Sequence, residues 1–294
     1  MGTPRGGLTG RVLALALVLA LALAFAAPGG AVTPGTKHAL DPQRTGLPFE
    51  SVAFPSAGDS VTLRGWWFEG RAKSAVIVCC PRGRGTMADL LPSVREFAQR
   101  GFTVMTFDLR DFGPGSPGDV DSLRNLVFAS RWVDDAQGAF RFARARAPGR
   151  FVFGWGQDLG GPVALAVGAR ERRVVDALVV EGLFRTAQEQ IRYNGTSQIA
   201  GVERLHRLLA NDADQPISTV PVLAVPLLVV VAAKDAVTPP EVTQAVTTRS
   251  LTLLERWKLP DAKHDGAELT PGYFDHLADW FRMVADALPP PDGK

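Results

Sequence analysis

Apolar and polar positions follow two alternating rhythms along the chain. Short, mostly apolar runs recur at Ala75-Val76-Ile77-Val78-Cys79-Cys80, 102–107, 151–155, 174–180, 226–231 and 251–257. Runs of that length, several without any polar break, predict strands buried on both faces. Between them the spacing changes. Leu90, Leu91, Val94, Phe97 and Ala98 repeat at i, i+3 and i+4, which predicts a helix over Met87–Arg100. Further helices are expected over roughly 124 to 147, from about 159 and from about Pro239. A closing helix sets Phe274, Leu277, Phe281, Val284 and Leu288 on one face and ends at Pro289-Pro290-Pro291. Ahead of the alternation, Ser51–Phe54 and Val61–Phe68 flank a Pro-Ser-Ala-Gly-Asp turn and predict an antiparallel hairpin. Strand–helix alternation predicts an α/β fold with a mostly parallel sheet of about eight strands, helices on both faces.

The run of residues 151–161, Phe-Val-Phe-Gly-Trp-Gly-Gln-Asp-Leu-Gly-Gly, carries the most chemistry. It reads as a strand, a glycine-pinched turn and the start of a helix. That is the context of a nucleophile elbow, G-x-S-x-G. Gly156 and Gly160 flank the centre, Gln157 precedes it, and the central residue is Asp158 instead of serine. Two bland readings compete: an ordinary glycine-rich strand–helix turn, and a phosphate loop. The phosphate loop lacks its Lys-Ser/Thr ending, and Leu159 breaks G-x-G-x-x-G. Asp235 directly follows the apolar run 226–231. It is either an acid at the carboxyl edge of the sheet or a turn aspartate before a helix. His264 lies in the loop after the last strand. It is the one of four histidines with both loop context and the right order, against the plainer reading of a solvated loop histidine. The order Asp158, Asp235, His264 matches nucleophile, acid and histidine.

On these residues the chain resembles the α/β-hydrolase superfamily, in its dienelactone-hydrolase and serine-aminopeptidase-like branch. Phe107-Asp108-Leu109-Arg110-Asp111-Phe112-Gly113-Pro114-Gly115-Ser116 is similar to the family's D-x-R-G-x-G-x-S segment. Pro226 to Pro239 is similar to its P-x-L-x-x-x-G-x-x-D-x-x-x-P segment, with Ala232 in place of glycine. The resemblance implies an α/β-hydrolase fold with a short helical cap insertion over 183–225. It also implies an oxyanion hole of backbone amides near Leu159, Arg82 and Gly83. The departures are Asp158 for serine, Cys80-Pro81-Arg82-Gly83-Arg84-Gly85 where the family has His-Gly, and the short cap.

A carboxylate in the nucleophile place suits attack on saturated carbon, a carbon–halogen bond or an epoxide, through an ester intermediate. His264, oriented by Asp235, would activate the water that hydrolyses it. The reference pKa of aspartate, about 3.9, predicts an ionised Asp158 in an open site. Gly156–Pro162 is similar to the elbow of haloalkane dehalogenases and epoxide hydrolases. The halide-binding tryptophan of the former is Leu159 here. Of the latter's two cap tyrosines only Tyr193 falls in the cap, since the other tyrosine is Tyr273. For esters and peptides Asp158 could act only as a base for water, because its own attack would give an anhydride. Arg82 or Arg84 could pair with Asp158, against the plainer reading of solvated loop arginines. The alternative is a catalytically degenerate binding or scaffold protein on the same fold. Asp235 and His264 argue against it, and the missing serine and His-Gly argue for it.

Composition adds limits. A chain of 294 residues, 46% hydrophobic and 21% charged, builds one sizeable core. Net charge is +2 with no basic block, which excludes nucleic acid as an expected partner. Adjacent Cys79 and Cys80 cannot staple a loop. No metal or organic cofactor is expected, and the partner is a small-molecule substrate. Arg5 and Arg11 precede an apolar run from Val12 to Ala27, and Ala24-Phe25-Ala26 offers a cleavage site. This predicts a signal peptide over 1–26 and an exported, periplasmic or extracellular protein. The run is shorter than the roughly 20 residues of a spanning helix, so no stable membrane anchor is expected, an uncleaved N-terminal anchor being the alternative. Residues 27–46 read as a linker, 47–288 as the hydrolase domain and 289–294 as a tail. Asn194-Gly195-Thr196 is a glycosylation sequon only in a eukaryotic secretory route. Arg185, Arg192 and Arg204 in the cap read as solvated or as an attraction for anionic substrates.

Overall fold

The computed structural model describes residues 32–71, 73–114, 128–193 and 210–291. The expected signal peptide, the start of the helix at 124, the sequon and Arg204 lie outside the described residues. So do the side chains of Arg192 and Tyr193.

The strands are β1 (Thr33–Pro34), β2 (Glu50–Pro55), β3 (Thr62–Phe68), β4 (Val76–Cys80), β5 (Arg84–Gly85), β6 (Thr103–Phe107), β7 (Val152–Gly156), β8 (Ala177–Glu181), β9 (Leu227–Ala232) and β10 (Leu253–Leu259). Helices that cover the sheet are α1 (Leu91–Gln99), α2 (Ser130–Arg146), α3 (Gly160–Arg170), α4 (Ala187–Tyr193), α5 (Pro216–Thr219), α6 (Pro240–Thr247) and α7 (Tyr273–Ala287). Eight strands form one sheet in the order β10-β9-β8-β7-β4-β6-β3-β2. The pairs from β6 through β10 are parallel, and β3 runs antiparallel to both β2 and β6. Helices lie on both sides. This is the mostly parallel sheet of about eight strands, covered on both faces, that the alternation predicted.

Why the strands read as unbroken apolar runs is visible in the core. Successive side chains of a strand point to opposite faces. Val76, Val78 and Cys80 of β4 therefore pack with α2 and α3, among Trp132, Phe140, Val163 and Val167. Ile77 and Cys79 pack on the other face with Phe97 of α1 and Leu277 and Phe281 of α7. The two cysteines are buried and unbonded, as their adjacency required. Burial pushes both thiols up and leaves them inert.

Two boundaries differ from the pattern. β8 begins at Ala177 because Val174 closes a turn onto the Glu171 carbonyl. The stretch read as a linker is packed on the domain from Val32 onward. Val32 is buried, β1 pairs with β5, and His38 Nε2 meets Asp108 Oδ2 at 2.7 Å. A Gly-, Pro- and Thr-rich composition suits a linker, yet the same small residues let this backbone lie flush against a loop. Over 183–225, the range expected to form a cap, the described residues hold α4, α5 and short 3-10 turns at Asp212–Asp214 and Val220–Val222. Among the described residues no helix is long and apolar enough to cross a membrane.

Candidate active site

Parallel strands all point their carboxyl ends to one edge, and the chemistry gathers there. Asp158 stands just beyond β7 and just before α3. Its φ is 51°, the left-handed region that non-glycine residues seldom enter. Strain of this kind costs about 1–2 kcal/mol and persists where surrounding structure enforces it. Here the enforcement is a close approach. A Cβ on Gly156 would sit 2.2 Å from the Gly160 carbonyl oxygen, and one on Gly160 would sit 2.7 Å from that of Cys80. The glycines let strand and helix pinch together, and Asp158 is thrust out at the apex.

Asp235 follows β9. It is 6% exposed and accepts four hydrogen bonds: from the amides of Val237 (2.8 Å) and Thr238 (2.9 Å), the Thr238 hydroxyl (2.7 Å) and His264 Nδ1 (2.9 Å). Burial alone would raise its pKa. The His264 hydrogen bond and charge and the Thr238 donors outweigh burial and hold it below the ordinary value. His264, in the loop after β10, turns Nε2 toward Asp158 Oδ1 at 3.8 Å. Burial pushes the imidazole pKa down, but the bond to Asp235 and the charges of Asp158 and Asp235 raise it above the usual 6.5. The three residues read from the sequence are thus brought together in the expected order.

Asp158 is only 14% exposed, not in an open site. Burial raises its pKa, against the pull of His264, Arg84 and Arg82. Its two oxygens face different neighbours. Oδ1 faces His264. Oδ2 lies on the side of the loop after β4, where a Cβ on Gly83 would be 3.6 Å away. The amides of Leu159, Arg82 and Gly83 take no hydrogen-bond partner among the described residues. Of the two readings of Arg82 and Arg84, the pairing with Asp158 is corrected, and neither is simply solvated. Arg82 bonds Glu268 at 2.5 Å, and Arg84 pairs with Asp265. Each arginine has a nearer carboxylate, so Asp158 feels both only at longer range.

Three residues went unread in the sequence. Asp265, at φ 55°, places Oδ1 3.7 Å from His264 Nε2, the same nitrogen that faces Asp158. One ligand atom each of Asp158, His264 and Asp265 lies within 4.8 Å of the others, donor types that suit a cation, although Arg84 already neutralises Asp265. Glu181 ends β8 beneath the elbow and accepts from Gln157 Nε2 at 2.9 Å. Burial pushes it up to about 7. Its signal was present: one charged residue closing the apolar run Ala177–Val180. Glu268 takes Arg82 and the Ser93 hydroxyl together. A groove of about 670 Å³ lies elsewhere, along β2 and β3 beside His38, Arg64, Trp66 and Asp108.

Residues 71–213 match the model of the serine aminopeptidase S33 family, Hydrolase_4. The match takes in the elbow and stops short of Asp235 and His264. YfhR, an uncharacterized protein of Escherichia coli O157:H7, is 31% identical over 184 residues, 54% of this chain and 61% of that protein. The polyketide transferase grgF of Penicillium sp is 27% identical over 173 residues, 58% of this chain and 56% of its own. The chain thus spans about three fifths of the length of these relatives. Among solved structures, an esterase of Pyrococcus furiosus superposes with a TM-score of 0.66 at 14% identity, covering 86% of this chain and 99% of that one. The Penicillium α/β hydrolase GrgF superposes with a TM-score of 0.62 at 16% identity, covering 82% and 99%. At such identities these structures establish the fold.

Proposed function

We propose that the chain is a hydrolase on the α/β-hydrolase fold and that it hydrolyses a small molecule through a covalent ester on Asp158. The observation that carries this reading is the split environment of one carboxyl group. Its Oδ1 faces the histidine, and its Oδ2 lies on the side of Gly83, whose amide, like those of Arg82 and Leu159, takes no partner among the described residues. That arrangement suits chemistry on the Asp158 carboxyl carbon itself.

In the first step a carboxylate oxygen of Asp158 attacks a saturated carbon. The C–X bond breaks and X leaves with its electron pair. A halide departs as the anion, and an epoxide oxygen takes a proton from the His264 imidazolium. The ester no longer carries the charge that helped raise the His264 pKa. The imidazole therefore turns neutral when a base is needed; after halide loss its proton goes to solvent. In the second step Nε2 takes a proton from water, and the hydroxide oxygen adds to the Asp158 carboxyl carbon. Amides of Leu159 and of the Arg82–Gly83 loop meet the resulting oxyanion. Collapse expels the alcohol oxygen, which receives the proton from His264 and leaves Asp158 as the carboxylic acid; its proton then passes to the neutral His264 Nε2, and Asp158 returns to a carboxylate. Asp235 holds the imidazole tautomer throughout. The esterase and transferase activities named for the similar proteins do not carry over directly, since attack by Asp158 on an ester would give an anhydride. Export through the 1–26 segment belongs to the same proposal.

The test is a panel of haloalkanes, epoxides and activated esters offered to the protein without its first 26 residues, beside Asp158→Ala, Asp158→Ser and His264→Gln. Turnover of a haloalkane or epoxide is expected, lost by about 10⁴-fold in Asp158→Ala. His264→Gln should accumulate a covalent adduct on the Asp158 peptide, seen by mass spectrometry. A parent inert on the whole panel, with ester hydrolysis gained in Asp158→Ser, would sink the proposal in favour of a degenerate binding protein.

A further inference from the structure

The loop that faces Asp158 is built by the chain's own N-terminal strand. β1 pairs in parallel with β5, Thr33 opposite Arg84 and Pro34 opposite Gly85. The Thr33 amide donates to the Gly83 carbonyl at 2.7 Å, and the Gly35 amide donates to that of Gly85 at 2.7 Å. On its other side the Gly35 carbonyl accepts the Gly113 amide at 2.8 Å. Val32 is 2% exposed. Gly83, at φ 29°, is wedged at the meeting point. A Cβ there would lie 3.3 Å from Val32 Cγ1, 3.1 Å from Leu159 Cβ and 3.6 Å from Asp158 Oδ2. One small residue thus touches the N-terminal strand, the elbow and the carboxylate. A second anchor follows. His38 bonds Asp108 Oδ2, Asp108 Oδ1 accepts the Met87 amide at 2.7 Å, and the His38 ring packs edge-on to Trp66 at 4.7 Å. Met87 begins the helical turn that leaves the same loop, so the strap grips the loop at both ends.

We propose that residues Val32 to His38 form a positioning strap that holds the Arg82–Gly85 loop against the elbow, with Val32 and Thr33 as its positioning residues. The strap stands where the loop sequence has lost its His-Gly. An amide donor stabilises an oxyanion only when its position is fixed beforehand. A loop with glycines at 83 and 85 does not fix itself. Backbone pairing from a neighbouring strand does, without depending on side-chain type. This inference rests on the oxyanion role given to the loop above, and its catalytic part concerns that same reaction.

The experiment compares the chain lacking residues 1–26 with Thr33→Pro, which deletes the N–H that Gly83 accepts, and with Val32→Ala and Val32→Ile. Amide hydrogen exchange over 82–86 is read first, because it needs no substrate. Exchange there should quicken at least tenfold in Thr33→Pro and Val32→Ala, and stay within twofold of the parent in Val32→Ile. With the substrate found in the panel, kcat should drop by about 10- to 100-fold while KM holds within about twofold. If Thr33→Pro fails to fold, Val32→Ala and its Ile rescue carry both readings. Unchanged exchange over 82–86 overturns the strap. Faster exchange with kcat untouched overturns its catalytic part. A panel without any turnover removes the covalent-ester reading and leaves the exchange result to decide whether the strap holds the loop.

Discussion

Asp235 and Glu181 sit at the ends of neighbouring strands, β9 and β8, at one edge of the sheet. Both are buried, at 6% and 4% exposure. Their environments nevertheless drive them in opposite directions. Asp235 accepts four hydrogen bonds, one from a histidine whose charge it shares, and its pKa falls below 3.8. Glu181 accepts one side-chain hydrogen bond, from Gln157, and burial pushes it up to about 7. Desolvation raises both, and more for the more deeply enclosed Glu181. At Asp235 the His264 hydrogen bond and charge and the Thr238 donors reverse it, because each favours the charged form. The same edge of the sheet therefore holds one carboxylate built to stay ionised and one acid that stays neutral under mild acid.

Asp235→Asn should break this contrast hardest. It keeps the shape and removes the charge that orients and holds His264. We expect kcat/KM on the panel substrate to fall by about 10³- to 10⁴-fold, as in other triads stripped of the acid's charge. The His264 pKa should also move downward, followed by imidazole proton resonances. A His264 titration identical to the parent would refute the assignment of Asp235.

Glu181 gives the next largest effect, on stability. Its folded pKa is raised above the unfolded value, so the folded chain binds the proton more tightly. Its stabilising contribution is therefore full below about pH 4.5 and is lost as pH rises through about 7. A shift from 4.5 to about 7 corresponds to about 3 kcal/mol. Glu181→Gln should flatten that slope in urea unfolding between pH 4.5 and 8. The neutral amide also offers a donor to Gln157 Oε1, which is buried without a partner among the described residues. An unaltered slope in Glu181→Gln would show that Glu181 is ionised across the range. Asp235 has the reverse sign: its contribution is present above about pH 3.8 and lost as pH falls below it.

The smallest effect is expected of Thr238→Val. It removes one of the four donors to Asp235, costs about 1 kcal/mol in thermal unfolding and raises the Asp235 pKa. A neutral result would mean that the three remaining donors saturate the carboxylate.

What could be read from the chain was local or periodic. The strand–turn–helix at 151–161 shows in adjacent glycines, and the strained φ of Asp158 follows from them. Strand burial shows in unbroken apolar runs such as 75–80. Asp235 and His264 were found by their place after strands, which topology turns into one edge. The linker reading misled at residues 32–46 because composition reports flexibility of an isolated segment, not the surface it meets. Arg82 misled because its partner, Glu268, lies 186 residues on.

The sequence by itself determined the sheet, the elbow and the order of Asp158, Asp235 and His264, because periodicity and close glycines act within a few residues. Only the tertiary structure decided which oxygen of Asp158 faces which neighbour, that Arg84 goes to Asp265, that burial pushes Glu181 up to about 7, and that Val32 and Thr33 brace the Gly83 loop. The reason is physical. Protonation and ion pairing depend on burial and on donors from distant segments, and those exist only once the chain has closed around them.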